Sequence, residues 1–326
     1  MSEPRPASLI SAPGPARAAV ALGWARVRAA GWSVLAAYLL SLGLALPLAA
    51  VVQASLRASL EHREAAERLL HGWDGLWHHT FAARASGLLA TFDAGIVGIG
   101  AVLRSLDALL RGALLELPAP IVAAGLLYLL GWVLLSGGLL ARFGGDDRGL
   151  VRLGVRHLPR LLAVAAVGWL GAWLVLAEVL PLLSAFVERQ CRDVIDERVH
   201  AAWLLGKYAV VWLLMLALRV WIDYAKIAAV ADPGRSAWAA LREGWAVISA
   251  QPGAVVGVRV LLGLVGLGLL LAYWALAPGP GQSNAFKIAV AFVIGQSSVV
   301  ARVVMRAWTL ASEQALARGR VSPARR

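Results

Sequence analysis

Apolar positions in this chain come in long uninterrupted runs, not in the two-residue alternation of a half-buried strand. Ala29 to Leu56 is 28 residues without a charge, and Leu117 to Ala141 is 25. A helix needs about 20 apolar residues to cross a hydrocarbon core of about 30 Å, so each run predicts a membrane span. Four further runs carry isolated charges. Leu161 to Val187 is interrupted only by Glu178. A fourth, about 202–222, contains Lys207 and Arg219. A fifth, about 255–276, has Arg259 near its start, and a sixth, about 288–310, has Arg302 and Arg306 in its last third. With the first two placed at about 29–54 and 117–141, the expected fold is all-α: a polytopic bundle of six transmembrane helices, with amphipathic elbow helices on its surface.

The stretches between runs carry a weaker, periodic pattern. Arg17 to Arg28, Arg148 to Arg160 and Arg235 to Ala250 are each short and amphipathic. Each holds a central glycine (Gly23, Gly154, Gly244), and a span follows within about ten residues. The third has a stripe of Trp238, Leu241, Trp245 and Ile248 at helical spacing. The second sets Arg148, Arg152 and Arg156 four apart. Such helices are expected to lie in the membrane surface, apolar side down. The chain then reads as three copies of one unit: surface helix, span out, span back. The competing reading is that any loop preceding a span tends to be basic and amphipathic. Gly263, Gly266 and Gly268 in the fifth run are expected to permit close helix contact.

Residues 55–116 form one sizeable extramembrane segment with helical spacing. Arg57–Glu61 and Glu64–Arg68 are placed for i,i+4 pairs, and Phe92 to Leu110 carries one apolar stripe. A seventh span over Gly87 to Leu103 would place Asp93 at its middle, at a cost of about 2.5–3.5 kcal/mol. A surface or re-entrant helix is expected there instead. Residues 1–15 are rich in Pro, Ser and Ala and read as a disordered arm, and 316–326 as a basic tail.

Composition agrees with the pattern. The chain of 326 residues is 60% hydrophobic and only 15% charged, against about 25% charged in soluble domains. Many of the 14 tryptophans, such as Trp32, Trp203, Trp221 and Trp308, fall near span ends, where an interfacial belt is expected. The net charge of +12 could suggest nucleic acid, but its distribution argues for topology. Counting Arg and Lys against Asp and Glu, the arm to Arg28 carries +3, Arg57–Glu116 −1, Arg142–Arg160 +3, Glu188–Lys207 0, Arg219–Arg259 +2, and the stretch from Arg302 +5. The positive-inside rule puts both termini in the cytoplasm. The partners expected are membrane lipids, with anionic head groups among them, and a membrane protein; nucleic acid is not. Arg, Ala, Leu and Gly dominate and lysine is rare, which fits a bacterial inner-membrane protein. The apolar stretch ending near Val52-Gln53-Ala54 is far longer than the 7–15-residue core of a signal peptide, so an uncleaved first span is expected. Cys191 stands alone and forms no internal disulfide.

Chemistry-bearing residues are few. His62, His71, His78 and His79 lie in the outer segment, and an outer-face metal-dependent enzyme is one reading of them. Their spacing matches no ligand motif, however, so neither a metal nor a cofactor is expected. Glu178 lies in the outer half of the third span with Pro181 one turn later, and Lys207 at similar depth is its natural ion-pair partner. The pair is either a tether or the polar site of a transporter. On the inner side Arg219, Asp223 and Lys226 share a helix face, and Arg259, Arg302 and Arg306 lie at comparable depth. The six form a candidate pocket for a phosphate-bearing lipid head group. The competing reading is ordinary snorkelling of arginines to the interface. Asp223 departs from that reading, because a carboxylate among arginines suggests a built network.

Several short motifs carry a resemblance. Leu134-Leu135-Ser136-Gly137-Gly138 before a basic loop, Asp223-Tyr224-Ala225-Lys226-Ile227 with Asp232, Arg235-Ser236 and Ala240-Leu241, Gly72-Trp73-Asp74 with Trp77, and Gly295-Gln296 resemble uncharacterised bacterial six-span proteins. These in turn are distantly similar to the membrane domain attached to some glycerophosphodiester phosphodiesterases. The likeness covers most of 20–318 and implies six spans with amphipathic elbows. It implies no activity, because the phosphodiesterase catalytic domain has no counterpart here. Binding of lipid or of a partner, without catalysis, is the expected function, with transport near Glu178 and outer-face catalysis as alternatives.

Overall fold

The computed structural model describes residues 14–61, 64–92, 100, 119–277 and 284–319. The described residues contain helices and turns and no strand. In chain order the helices are α1 (Pro15–Ala29), α2 (Gly31–Leu60), α3 (Glu64–His71), α4 (Gly75–Ala82), α5 (Ala119–Phe143), α6 (Leu150–Cys191), α7 (Glu197–Ala231), α8 (Ala237–Ala250), α9 (Pro252–Leu276) and α10 (Ala285–Gly319). Six of them, α2, α5, α6, α7, α9 and α10, are long and apolar enough to cross a membrane. The chain is a six-span helical membrane bundle.

Local chemistry sets the helix ends. Asp196 caps α7 by accepting the Arg198 amide at 2.9 Å, and Ser236 caps α8 by accepting that of Ala239 at 3.2 Å. α5 stops at Gly145, whose φ of +94° favours glycine. There the amides of Gly145 and Asp146 bond back to the carbonyls of Arg142 and Ala141, a Schellman closure. α6 changes to a π turn over Val175–Val179. Pro181 follows directly and has no N–H to offer the carbonyl of Ala177, and a wider turn accommodates that missing bond.

The helices run longer than the apolar runs. α6 begins at Leu150 and continues unbroken through the second elbow stretch, so only α1 and α8 are separate elbow helices. Pro159 lies inside α6, which continues past it. α10 continues to Gly319, so residues 316–319 extend the last helix; Ala315 and Leu316 are buried. The seventh-span question and the stripe to Leu110 lie mostly outside the described residues, as do residues 1–13 and His62.

Burial is concentrated at one end, the end that carries α1 and α8. Tyr224, Leu139, Leu140, Leu153, Leu161, Leu241 and Val258 are all under 2% exposed there. Much of the rest of the bundle presents aliphatic side chains outward, as at Leu264, Leu267 and Leu271. In a bilayer those surfaces meet acyl chains and need no protein partner.

Three glycines build the buried end. A Cβ on Gly23 would stand 2.2 Å from Ser312 Oγ of α10, one on Gly154 2.4 Å from the Leu134 carbonyl of α5, and one on Gly244 2.7 Å from the Ala225 amide of α7. Each elbow glycine therefore lets its backbone approach the end of the span that returns to this side. The arrangement repeats in detail. Trp308 Nε1 donates to the carbonyl of Val20, three residues before Gly23, and Trp221 Nε1 donates to that of Leu241, three residues before Gly244. In both, the residue four after the tryptophan (Ser312, Ala225) meets the glycine. The contacts of α1 on α10 and of α8 on α7 thus match residue for residue, and the start of α6 meets α5 through Gly154 at Leu134, two residues after Trp132.

Two expectations are corrected by this packing. Trp221 and Trp308 are half-buried clasps between elbow and span, because each indole N–H finds a backbone carbonyl there; Trp32, 84% exposed, stays outward. Gly263 and Gly268 meet no side chain or neighbouring helix within 4 Å of an added Cβ, and Gly266 meets only Met305 Cε at 3.9 Å. The close contacts are made by the elbow glycines instead.

At the opposite end, Asp74 caps α4 by accepting the Trp77 amide at 3.0 Å and is held by Arg68 Nε at 2.7 Å. These two donors lower the Asp74 carboxyl from its ordinary value. The sign follows: a carboxyl held low stabilises the cap above the ordinary carboxylate range, and the contribution is lost as pH falls through the lowered value. Asp74→Ala is expected to speed hydrogen exchange of the first-turn amides of α4 several-fold at pH 7, without changing exchange in α7. Equal exchange in the variant would show that the cap contributes nothing.

Candidate functional site

α7 carries Arg219, Asp223 and Lys226 at i, i+4 and i+7, so the three side chains leave one face of the helix. α9 brings Arg259 against that face, and α10 brings Glu313. Arg259 Nη2 is 2.8 Å from Asp223 Oδ2 and 2.6 Å from Glu313 Oε1, so one guanidinium joins three helices. Lys226 Nζ lies 3.7 Å from Asp223 Oδ1, and Arg219 Nε 3.9 Å from Oδ2. Glu313 is 1% exposed, and Asp223 and Lys226 are 8% exposed. Charges buried this deeply persist only when paired.

Beside this lock lies a cavity of about 670 Å³ between α2, α5, α7, α9 and α10. Its polar lining includes Arg219, Arg302, Arg306, Tyr128 and Ser41, and its apolar lining includes Leu269, Leu270, Val299 and Val303. Arg306 is set in place by two neighbours on α5: its guanidinium lies 3.9 Å over the Trp132 ring, and its Nη1 is 3.5 Å from the Tyr128 hydroxyl. Among the described residues Arg302 makes no ion pair or hydrogen bond. Arg219 belongs to both features, lining the cavity while reaching only loosely toward Asp223.

All six inner residues predicted from the sequence thus converge, but into two adjoining parts. Asp223, Lys226 and Arg259 form the buried lock, and Arg219, Arg302 and Arg306 line the cavity. Glu313, Tyr128 and Trp132 were not anticipated. A signal for Glu313 was present: Trp308-x-Leu310-x-Ser312 and Leu316-Ala317-Arg318 match Trp132-x-Leu134-x-Ser136 and Leu140-Ala141-Arg142 at the same offsets. That match extends the last span past residue 310 and brings Glu313 inside. Arg219 and Arg306 likewise stand two residues before Trp221 and Trp308.

The outer candidates do not assemble. Glu178 is on the π turn with its side chain exposed. Lys207 Nζ donates to Ser184 Oγ at 3.3 Å and stands 4.5 Å over the Tyr208 ring, so the predicted Glu178–Lys207 pair is not formed. The wider π turn rotates Glu178 relative to the straight helix on which that pairing rested. His78 shares its Nε2 with the Phe92 carbonyl at 2.9 Å and packs on Trp73. Asp74, four residues before it, is committed to the α4 cap. Among the described residues no three His, Cys, Asp or Glu side chains gather as a metal site.

No family model, characterised protein or solved structure matches the chain. What the site can do therefore rests on its own geometry: an ion-pair lock stands beside a cavity lined by three guanidinium groups and by aliphatic side chains.

Proposed function

We propose that this protein is a non-enzymatic membrane component that binds an anionic lipid in the cavity between α7, α9 and α10. One observation carries the reading. Three guanidinium groups share the cavity wall, and the nearest carboxylate, Asp223, is already held by Arg259 at 2.8 Å. An uncompensated cationic wall inside an apolar bundle is unfavourable unless an anion completes it. Arg302 and Arg219 are exposed and line the cavity, and its aliphatic lining residues suit an acyl chain. The basic residues of the buried end, including Arg142, Arg148, Arg152, Arg156 and Arg160, orient it toward the cytoplasm by the positive-inside rule. That orientation puts the cavity within reach of the inner leaflet. The exposed Trp238 (68%) and Trp245 (61%) of α8 give that end an aromatic face for the interface.

Transport through Glu178 has less support, because that side chain is exposed and the polar cavity is lined by other residues. The double variant Arg219→Gln, Arg302→Gln tests the lipid reading. It is expected to lower anionic-lipid retention, read by native mass spectrometry of detergent-released protein, about tenfold or more, since each charge-assisted contact to phosphate contributes about 1.5–3 kcal/mol. Unchanged retention would sink the reading.

A further inference from the structure

We propose, resting on the anionic-lipid reading, that the head group held in the cavity is a phosphate monoester. The lock and cavity together bring five cationic side chains (Arg219, Lys226, Arg259, Arg302 and Arg306) against two carboxylates (Asp223 and Glu313), an excess of three positive charges. Arg259 and Lys226 are paired in charge with those carboxylates within the lock. The excess is therefore carried by Arg219, Arg302 and Arg306, all on the cavity wall.

A zwitterionic head group would add a cation and relieve none of the excess. A phosphodiester adds one negative charge and spends one phosphate oxygen on the second ester. A phosphate monoester carries about −1.5 to −2 at pH 7 and presents three free oxygens. Three oxygens match three guanidinium groups, and charge-assisted contacts of this type are about twice as strong as neutral ones. The Tyr128 hydroxyl, 3.5 Å from Arg306, supplies a further donor on the same wall. Gly266, Leu269 and Leu270 of α9 offer no charge to the ligand, so the apolar body of the molecule lies against them. A water-soluble phosphate would leave that wall without a partner.

The test is a native mass spectrometry titration of the full chain at a single pH of about 7.5. The titrants are phosphatidic acid, phosphatidylglycerol and phosphatidylcholine with the same acyl chains, followed by competition with glycerol 3-phosphate and inorganic phosphate. Phosphatidic acid is expected to bind about tenfold more tightly than phosphatidylglycerol, the effect of one further charge-assisted contact. Arg302→Gln, which breaks no internal pair, is expected to bring that ratio to about threefold or less. Equal binding of the two anionic lipids, both above phosphatidylcholine, would overturn the monoester assignment and leave the anionic-lipid reading standing. An unchanged ratio in Arg302→Gln would overturn it as well. Displacement of phosphatidic acid by equimolar glycerol 3-phosphate or inorganic phosphate would overturn the lipid-borne part. Binding of all three lipids alike would overturn both readings.

Discussion

Arg259→Met should destabilise the bundle by about 3–5 kcal/mol, the largest single effect expected in this protein. Removing the guanidinium leaves Asp223 with only the longer contacts to Lys226 and Arg219, and Glu313 buried without its cation; an uncompensated buried charge costs about that much. The measurement is thermal or denaturant unfolding in detergent, followed by tryptophan fluorescence, since Trp221 and Trp308 bracket the lock. A quadruple variant, Arg259→Met with Asp223→Asn, Glu313→Gln and Lys226→Met, separates the pairing from the shape of the side chains. Neutralising both carboxylates and Lys226 as well should recover most of the loss, because replacing a whole buried ion cluster by neutral groups is often nearly neutral. If the single and quadruple variants were equally unstable, the four charges would not act as one network.

Gly244→Leu is the second large effect. An added Cβ meets the Ala225 amide at 2.7 Å and its Cα at 3.0 Å, and backbone cannot turn aside as a side-chain tip can. α8 must lift from α7, and the Trp221–Leu241 bond is lost with it. Overpacking typically costs about 1–3 kcal/mol, and a clash with backbone belongs at the upper end of that range. Gly263→Leu is the matched control: it adds the same atoms to a glycine facing open space, and a change within about 0.5 kcal/mol is expected. A Gly244→Leu protein as stable as the control would mean that α8 is not closely docked.

The spans were legible because the bilayer imposes length and apolarity on each helix by itself, a demand that Ala29–Leu56 satisfies without reference to any neighbour. The inner charged cluster was legible for a related reason. Charges inside a span are costly, and those on one helix face at comparable depth meet when the helices pack. What the pattern could not carry was three-dimensional partnership. Glu313 looked like the one acid of a basic tail, since nothing local says that α1 folds back over it. Trp221 and Trp308 matched an interfacial belt in spacing, and only their carbonyl partners on α8 and α1 assign them to clasps. Glu178 and Lys207 were paired on depth alone, and the π turn at Val175–Val179 changed the direction of one of them. The three elbow glycines were visible in the sequence, and the offsets shared by Trp221 and Trp308 became evident once the packing showed which residues to align.

The docking of α1 on α10 also fixes an order of events during synthesis. The Trp308–Val20 bond joins residues 288 apart. At about 5–20 residues per second, the first helix leaves the ribosome roughly 15–60 s before its partner exists. For that interval α1 has no groove to occupy, and Gly23 faces no neighbour. The other two elbows follow their spans in the chain and can dock as soon as they emerge. The bundle therefore matures as an open chain of two finished units and one waiting helix, and its ring closes last.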